Sequence, residues 1–466
     1  MVFTQVEFVV FVLGVVSLMC FLKSIVLKKI TILLSSLYFY AYFDYRLLIV
    51  LVLSVFCTHI SGSLINRSKQ PVYKKISLIA GVGLNLGALL YFKYYNFFIH
   101  QINDLFLLDE SSLNTIKIVV PLGISFYTFR FISYLVDVYR GDMSPCRLFD
   151  FTIYGLFFPV IISGPISRAV HFIPQLERIS ISKNNLYLGY RLFVIGLFLK
   201  VFVADRIAYY VNYFYANYEI FDTATTWLAV IVYSIQIYCD FAGYSSMAIG
   251  VAYLIGIRIE DNFNFPYLAN NIQEFWKRWH MTLSEWIKDY LYIPLGGSRK
   301  GGRRKCINLL IVMTLCGFWH GSSWTFVLWG MLHGAMLIAN YGWQLSNCRT
   351  FCTTLPRLFS LISQVVTFVS VTICWIFFRS TDLHQSFEII KKLFLFRNDG
   401  YLFWAQPFVL FVVVATLFFH LLSNMKVKFI SLPVDNKVTP TILFCLLWLV
   451  VVFFPKELEP FVYLQF

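Results

Sequence analysis

Long apolar runs alternate with short polar loops along this chain. The runs fall at about 5–22, 30–43, 47–64, 76–98, 116–137, 150–165, 185–206, 226–256, 306–322, 324–344, 358–379, 404–424 and 440–455. A spanning helix takes about 20 mostly apolar residues. Lipid offers no partner to open backbone groups, so such runs must be helical. The pattern predicts an all-α integral membrane protein that crosses the bilayer about a dozen times. Run 150–165 is the exception. It ends in Ser163-Gly164-Pro165, which would let it turn back on itself as a re-entrant segment.

The polar loops then orient the chain. Loop 23–29 carries Lys23, Lys28 and Lys29, and loop 65–75 carries Arg67, Lys69, Lys74 and Lys75. Both belong on the cytoplasmic side. Loop 99–114 has Asp104, Asp109 and Glu110 with no Lys or Arg, which suits the outside and places the N-terminus outside. Loop 166–184 is basic again (Arg168, Arg178, Lys183), and 207–225 has no Lys or Arg. The most basic stretch is 257–305, expected in the cytoplasm. Run 5–22 has no basic segment before it and no small-residue cleavage site, so it reads as a retained first span.

Composition agrees with this picture. Of 466 residues, 59% are hydrophobic, 19% aromatic and 13% charged, against about 25% charged in soluble domains. The mean hydropathy is +0.71. The net charge of +14 would suggest nucleic acid in a soluble protein. Here the cations sit in short loops between apolar runs, so they set orientation, and no nucleic-acid partner is expected. The same loops could meet anionic headgroups or an anionic substrate. Cys20, Cys57, Cys374 and Cys445 lie inside apolar runs and read as buried thiols. Cys348 and Cys352 have no nearby His, and no metal site is expected. No internal repeat or low-complexity linker divides the chain, so residues 1–466 read as one membrane domain.

Chemistry concentrates in one region. Residues 272–290 carry Phe275, Trp276, Trp279, Leu283, Trp286, Ile287 and Tyr290 at helical spacing, which predicts one amphipathic helix. Asn271 would cap it, with Glu274 as its capping-box partner. Six charged residues lie on it, and spanning with all of them unpaired would cost about 15–21 kcal/mol. This helix therefore lies at the interface or packs around a polar cavity. Residues 291–305 follow as a Gly-rich loop with Arg299, Lys300, Arg303, Arg304 and Lys305. Two readings stand beside each other: a landing site for anionic groups such as the phosphates of coenzyme A, or a simple cytoplasmic anchor.

His320 sits between Trp319 and Gly321 at the end of an apolar run. An ionisable group there is a candidate for function, and an imidazole suits general-base work near neutrality. A lone His among aromatics is more often a satisfied core residue, but His280 and His333 stand close in sequence. Asp240 lies inside run 226–256 among Ala242, Gly243, Ser245, Ser246 and Gly250. It needs a partner or a cavity, and a structural bond to a neighbouring helix is its plainer role. The small residues would let helices approach closely.

Five stretches resemble the bacterial membrane-bound O-acyltransferases of the alginate O-acetylase type. They are PLGISFYTFRFISYLVDVYRG (121–141), FPVIISGPISR (158–168), SIQIYCDFAGYSSMAIG (234–250), FWKRWHMTLSEWIKDYLYIPLGGSRKG (275–301) and GFWHGSSWTFVLWGMLHG (317–334). They cover most of 121–334 in the family's order. The resemblance implies a ring of helices around a central funnel, with re-entrant and interfacial helices. It implies that His320 is the essential catalytic residue and that His280 lines the same channel in a positioning role. His333 matches a further histidine of the bacterial branch. Trp276, Trp279, Trp319 and Asp240 would line the substrate and acyl-donor channel.

The activity so implied is O-acetyl transfer from cytoplasmic acetyl-CoA to an exported polysaccharide such as alginate or peptidoglycan. The enzyme would work in the bacterial cytoplasmic membrane without a bound cofactor, beside an extracytoplasmic partner protein. Two alternatives accompany it. D-alanyl transfer to teichoic acid is disfavoured by the PLGGSRKG stretch, which that branch lacks. A transporter or flippase would predict internal repeats, and none is seen.

Overall fold

The computed structural model describes residues 1–106, 116–345, 356–396, 400–404, 406–424, 438–454, 459 and 461. The acidic pair Asp109 and Glu110 and the pair Cys348 and Cys352 lie outside these residues. All regular elements described are helical apart from one isolated bridge between Phe221 and Tyr401. Five helices are long and apolar enough to cross a membrane: α2 (Ile25–Arg67), α3 (Pro71–Phe106), α6 (Lys183–Ala216), α7 (Thr223–Leu254) and α12 (Pro356–Arg379). This is an all-α integral membrane protein. The other helices are α1 (Val6–Phe21), α4 (Ile124–Arg140), α5 (Leu148–Leu156), α8 (Ile272–Trp276), α9 (Met281–Ile287), α10 (Gly301–His320), α11 (Trp324–Leu345), α13 (Leu383–Leu395), α14 (Pro407–Asn424) and α15 (Val438–Val452).

Most apolar runs became helices close to where hydropathy placed them, and the departures have local causes. Runs 30–43 and 47–64 form one helix, α2, bent at Asp44, whose φ of −160° and ψ of 110° are not helical. Run 116–137 is helical only from Ile124, because Pro121 and the left-handed Gly123 (φ 72°) hold the chain off the helix before it. Run 150–165 breaks into α5, a four-residue turn at Phe158–Ile161 and a bend through Ser163 and Gly164. Helix α13 was not expected. Asp382 caps it by accepting from the Gln385 N–H at 2.8 Å.

The chain forms two compact units. The first holds Met1–Phe193 and Ser245–Glu260. Its core is aromatic: the Phe39 ring lies 5.8 Å from Phe8 and 5.6 Å from Phe158, and Tyr134 lies 4.4 Å from Phe151. Lys29 pairs with Asp150 at 2.6 Å and ties α2 to α5. Asn85 donates to the Thr58 hydroxyl at 3.0 Å between α3 and α2. The close approach expected of Gly250 occurs here: a Cβ on it would stand 2.7 Å from the Gly189 carbonyl oxygen.

The second unit holds Val194–Tyr244 and Asp261–Phe466. Its central feature is the antiparallel hairpin of α10 and α11. Gly317 and Gly330 face each other where these helices cross. A Cβ on Gly317 would collide with the Phe326 carbonyl, and one on Gly330 with the Met313 carbonyl. Such contact is what small residues allow between membrane helices, and it lies one turn before His320, the last residue of α10. Gly243 plays the same part between α7 and α6, within 2.8 Å of the Gly196 carbonyl oxygen by the same construction.

Of the four cysteines expected to be buried, only Cys374 is. Cys57 is half-buried, and Cys20 and Cys445 point outward. An apolar run marks a helix as lipid-compatible without telling its core face from its lipid face.

Candidate active site

The helix predicted over 272–290 is two short helices joined by a turn. Asn271 does cap the first: its side-chain oxygen accepts from the Glu274 N–H at 2.9 Å. The Glu274 carboxylate reaches back one residue further than a capping box requires, to the Asn270 N–H at 2.9 Å, and is held by Arg278 at 2.8 Å. The helix then stops. His280 takes the left-handed conformation (φ 41°, ψ 56°) and starts α9. A non-glycine residue in that region is strained and persists only when its surroundings impose it.

The surroundings here are Asn262 and Asn264. The Asn262 carbonyl accepts from the Met281 N–H at 3.0 Å, and the Asn264 N–H donates to the Arg278 carbonyl at 2.9 Å. The Asn262 side-chain oxygen accepts from the Thr282 hydroxyl at 2.9 Å and lies 3.0 Å from His280 Nδ1. Since that oxygen can only accept, Nδ1 carries the hydrogen and Nε2 is the lone-pair nitrogen. Burial holds the His280 imidazole well below its ordinary value, at about 3, so it is neutral at physiological pH. No part of Asn262 announced this role in the sequence.

His320 is the last residue of α10, and its side chain is buried. Its ring lies 4.9 Å from Trp319, 5.1 Å from Trp329 and 5.3 Å from Phe378. Trp319 in turn lies 6.4 Å from His280. The two histidines predicted to share a site therefore flank one indole. Phe241 packs edge-on to His280 at 4.7 Å. His333 lies one ring further on, 4.6 Å from Trp329 and 5.2 Å from Trp276.

The tryptophans expected to line the channel fall in different places. The Trp276 ring meets His333 and Trp329. Trp279 packs on Phe263 at 5.1 Å and on Trp375 at 4.9 Å. Trp375 and Trp329 stack at 5.6 Å. Three histidines from three different helical segments or turns thus converge on one buried aromatic cluster. Trp329, Trp375 and His420 belong to it or border it and were not singled out from sequence. His420 lies 5.4 Å from Tyr238, and its Nδ1 lies 2.9 Å from the Thr416 carbonyl.

Asp240 meets the requirement for a partner. Its carboxylate lies 2.7 Å from Lys200 Nζ, which also contacts Asp205 at 2.7 Å, all three side chains being buried. Lys200 further donates to the Glu459 carbonyl at 3.0 Å. A charged side chain inside an apolar run signalled this cluster, at Lys200 as much as at Asp240. Arg299, Lys300, Arg303 and Arg304 are exposed, on a turn and on the first turn of α10. Cations are disfavoured at a helix N-terminus and anions favoured. Among the described residues no three His, Cys, Asp or Glu side chains group as a metal site.

Comparison with known proteins fixes what this scaffold is. The sequence profile of the membrane-bound O-acyltransferase family matches residues 34–381. The chain belongs to that family. It is 34% identical over 413 residues to a peptidoglycan O-acetyltransferase of Helicobacter pylori, covering 82% of this chain and 76% of the relative. It is 38% identical over 323 residues to a "probable alginate O-acetylase" of Pseudomonas putida, covering 68% of this chain and 64% of the relative. A teichoic acid D-alanyltransferase of Bacillus subtilis is 29% identical over 279 residues, covering 57% and 70%. This membrane-bound O-acyltransferase is an enzyme that spans the membrane several times.

Proposed function

We propose that this acyltransferase moves an acetyl group from cytoplasmic acetyl-CoA to a hydroxyl of an exported polysaccharide, with His320 as general base. The observation that carries the reading is the burial of His320 at the tip of α10, one indole away from a second, neutral imidazole. The hydroxyl oxygen attacks the thioester carbonyl as His320 takes its proton, the new C–O bond forms and the C–S bond breaks. The proton then leaves with the coenzyme A thiol. Water is largely kept out of such a cluster, which strengthens electrostatic assistance.

His280 positions the donor. The Asn262 bond fixes its tautomer and leaves the lone pair on Nε2. Arg299, Lys300, Arg303 and Arg304 supply the charge that anionic coenzyme A needs on the cytoplasmic side. The names of the two relatives at 34% and 38% identity support acetyl transfer to a cell-surface polysaccharide. A separate extracytoplasmic protein would complete delivery to the polymer, and the enzyme would sit in the cytoplasmic membrane. D-alanyl transfer is the second reading, supported by teichoic acid D-alanyltransferases at 29% and 30% identity.

The test compares a deletion strain restored with wild type or with His320→Ala, at equal protein level in the membrane. Acetyl and D-alanyl esters on surface polysaccharides are both measured. Acetyl esters that return only with wild type support the reading, and the polymer concerned names the acceptor. Full restoration by His320→Ala would remove His320 from catalysis, and return of D-alanyl esters alone would shift the donor.

A further inference from the structure

Three buried polar side chains sit together in the aromatic cluster with hydrogen-bonding atoms that none of the described residues takes up. They are the indole N–H of Trp276, the indole N–H of Trp329 and both ring nitrogens of His333. Trp329 and His333 are fully buried, and Trp276 is 8% exposed. Their rings are mutual neighbours, at 4.6 Å between Trp329 and His333, 5.2 Å between Trp276 and His333, and 5.9 Å between Trp276 and Trp329. A buried donor without a partner costs about 1–3 kcal/mol. Stability alone gives no reason to gather three of them in one place. Trp329 is also one of the rings that meet His320 edge-on, at 5.1 Å between centroids.

The chemistry of the donors narrows the ligand. An indole N–H donates and cannot accept, so two of them select an oxygen with lone pairs to offer. They favour most an oxygen that gains negative charge during a reaction. The neighbouring Phe275 ring leaves an apolar setting for the rest of that group. We propose that Trp276 and Trp329, with His333, receive the carbonyl oxygen of the acyl group and stabilise it as an oxyanion while the acceptor hydroxyl adds. The inference rests on the acyl-transfer reading and deepens it. As the hydroxyl oxygen bonds to the carbonyl carbon, the C=O pair moves onto the oxygen held by the two indoles. Its return reforms C=O and expels the thiolate, which takes the proton His320 had accepted. The same ring walls would restrict the acyl group to a short one.

The experiment uses membranes containing the full chain and acetyl-CoA as probe, reading release of free coenzyme A above the His320→Ala background. Trp329→Phe and Trp276→Phe keep an aromatic body and lose the N–H. A third variant places benzothienylalanine at position 329, which keeps the bicyclic shape with sulfur in place of N–H. Loss of one oxyanion donor lowers kcat by about 10²–10³-fold. That loss is expected in all three, with KM for acetyl-CoA little changed. If the benzothienylalanine variant keeps wild-type kcat, the indole contributes bulk only and the proposal is overturned, while wild-type turnover keeps the acyl-transfer reading intact. If wild-type membranes release no more coenzyme A than His320→Ala membranes, the acyl-transfer reading fails and this inference with it.

Discussion

Lys200 and Asp240 form a buried ion pair, Nζ to Oδ1 at 2.7 Å, and Asp205 shares the same ammonium at 2.7 Å. One cation thus serves two carboxylates on α6 and α7. Removing the cation leaves two acids facing each other away from water, whereas removing the Asp240 charge leaves a balanced pair.

The two substitutions therefore differ in cost. Lys200→Met is expected to destabilise by about 3–5 kcal/mol, the cost of stranding buried charge. Asp240→Asn should lose about 1 kcal/mol, the size of one ordinary hydrogen bond. Melting of the detergent-solubilised protein measures both. Equal losses would mean that Asp240, and not the ammonium, organises the cluster.

His280 gives a prediction in pH. Its folded-state value is depressed by burial from 6.5 to about 3. The unfolded chain therefore binds a proton that the folded protein refuses. The stability this contributes is fully present above about pH 6.5 and is lost as pH falls toward 3, at up to about 1.4 kcal/mol per pH unit. His280→Asn can still donate to Asn262 and carries no titrating group. Its melting temperature should fall less steeply between pH 7 and pH 4 than that of wild type. Parallel curves would place a compensating charge beside His280.

The parts of this site legible in the sequence are those set by near neighbours. The Asn271 cap needs only Glu274, and His320 stands out because Trp319 and Gly321 flank it in an apolar run. The break at His280 could not be read, because its cause is Asn262, which is brought beside it by the fold. A continuous amphipathic pattern over 272–290 therefore predicted one helix where tertiary bonds impose two. Trp329 and Trp375 read as ordinary core aromatics for a related reason. Their meaning depends on the Gly317–Gly330 crossing and on α12, whose position periodicity does not encode. Helix α13 shows the opposite failure. Its Asp382 cap is a local signal, but the segment falls between the apolar runs 358–379 and 404–424, where hydropathy marks no helix.

The basic turn before α10 gives a prediction that separates substrate binding from chemistry. Arg299, Lys300, Arg303 and Arg304 are exposed, so each contributes little alone and is screened by salt. Together, at a helix start where anions are favoured, they would hold the phosphates of coenzyme A equally in ground and transition states. Replacing all four with Gln should raise KM for acetyl-CoA several-fold and leave kcat unchanged, the signature of uniform binding. The wild-type KM should climb with ionic strength, and that of the variant should not. The 3′-dephospho form of acetyl-CoA offers less charge and should narrow the gap between the two proteins. An unchanged KM together with less protein in the membrane would instead make this turn an orientation anchor, since cytoplasmic cations fix topology. The two roles thus leave opposite marks, one on substrate affinity and the other on insertion.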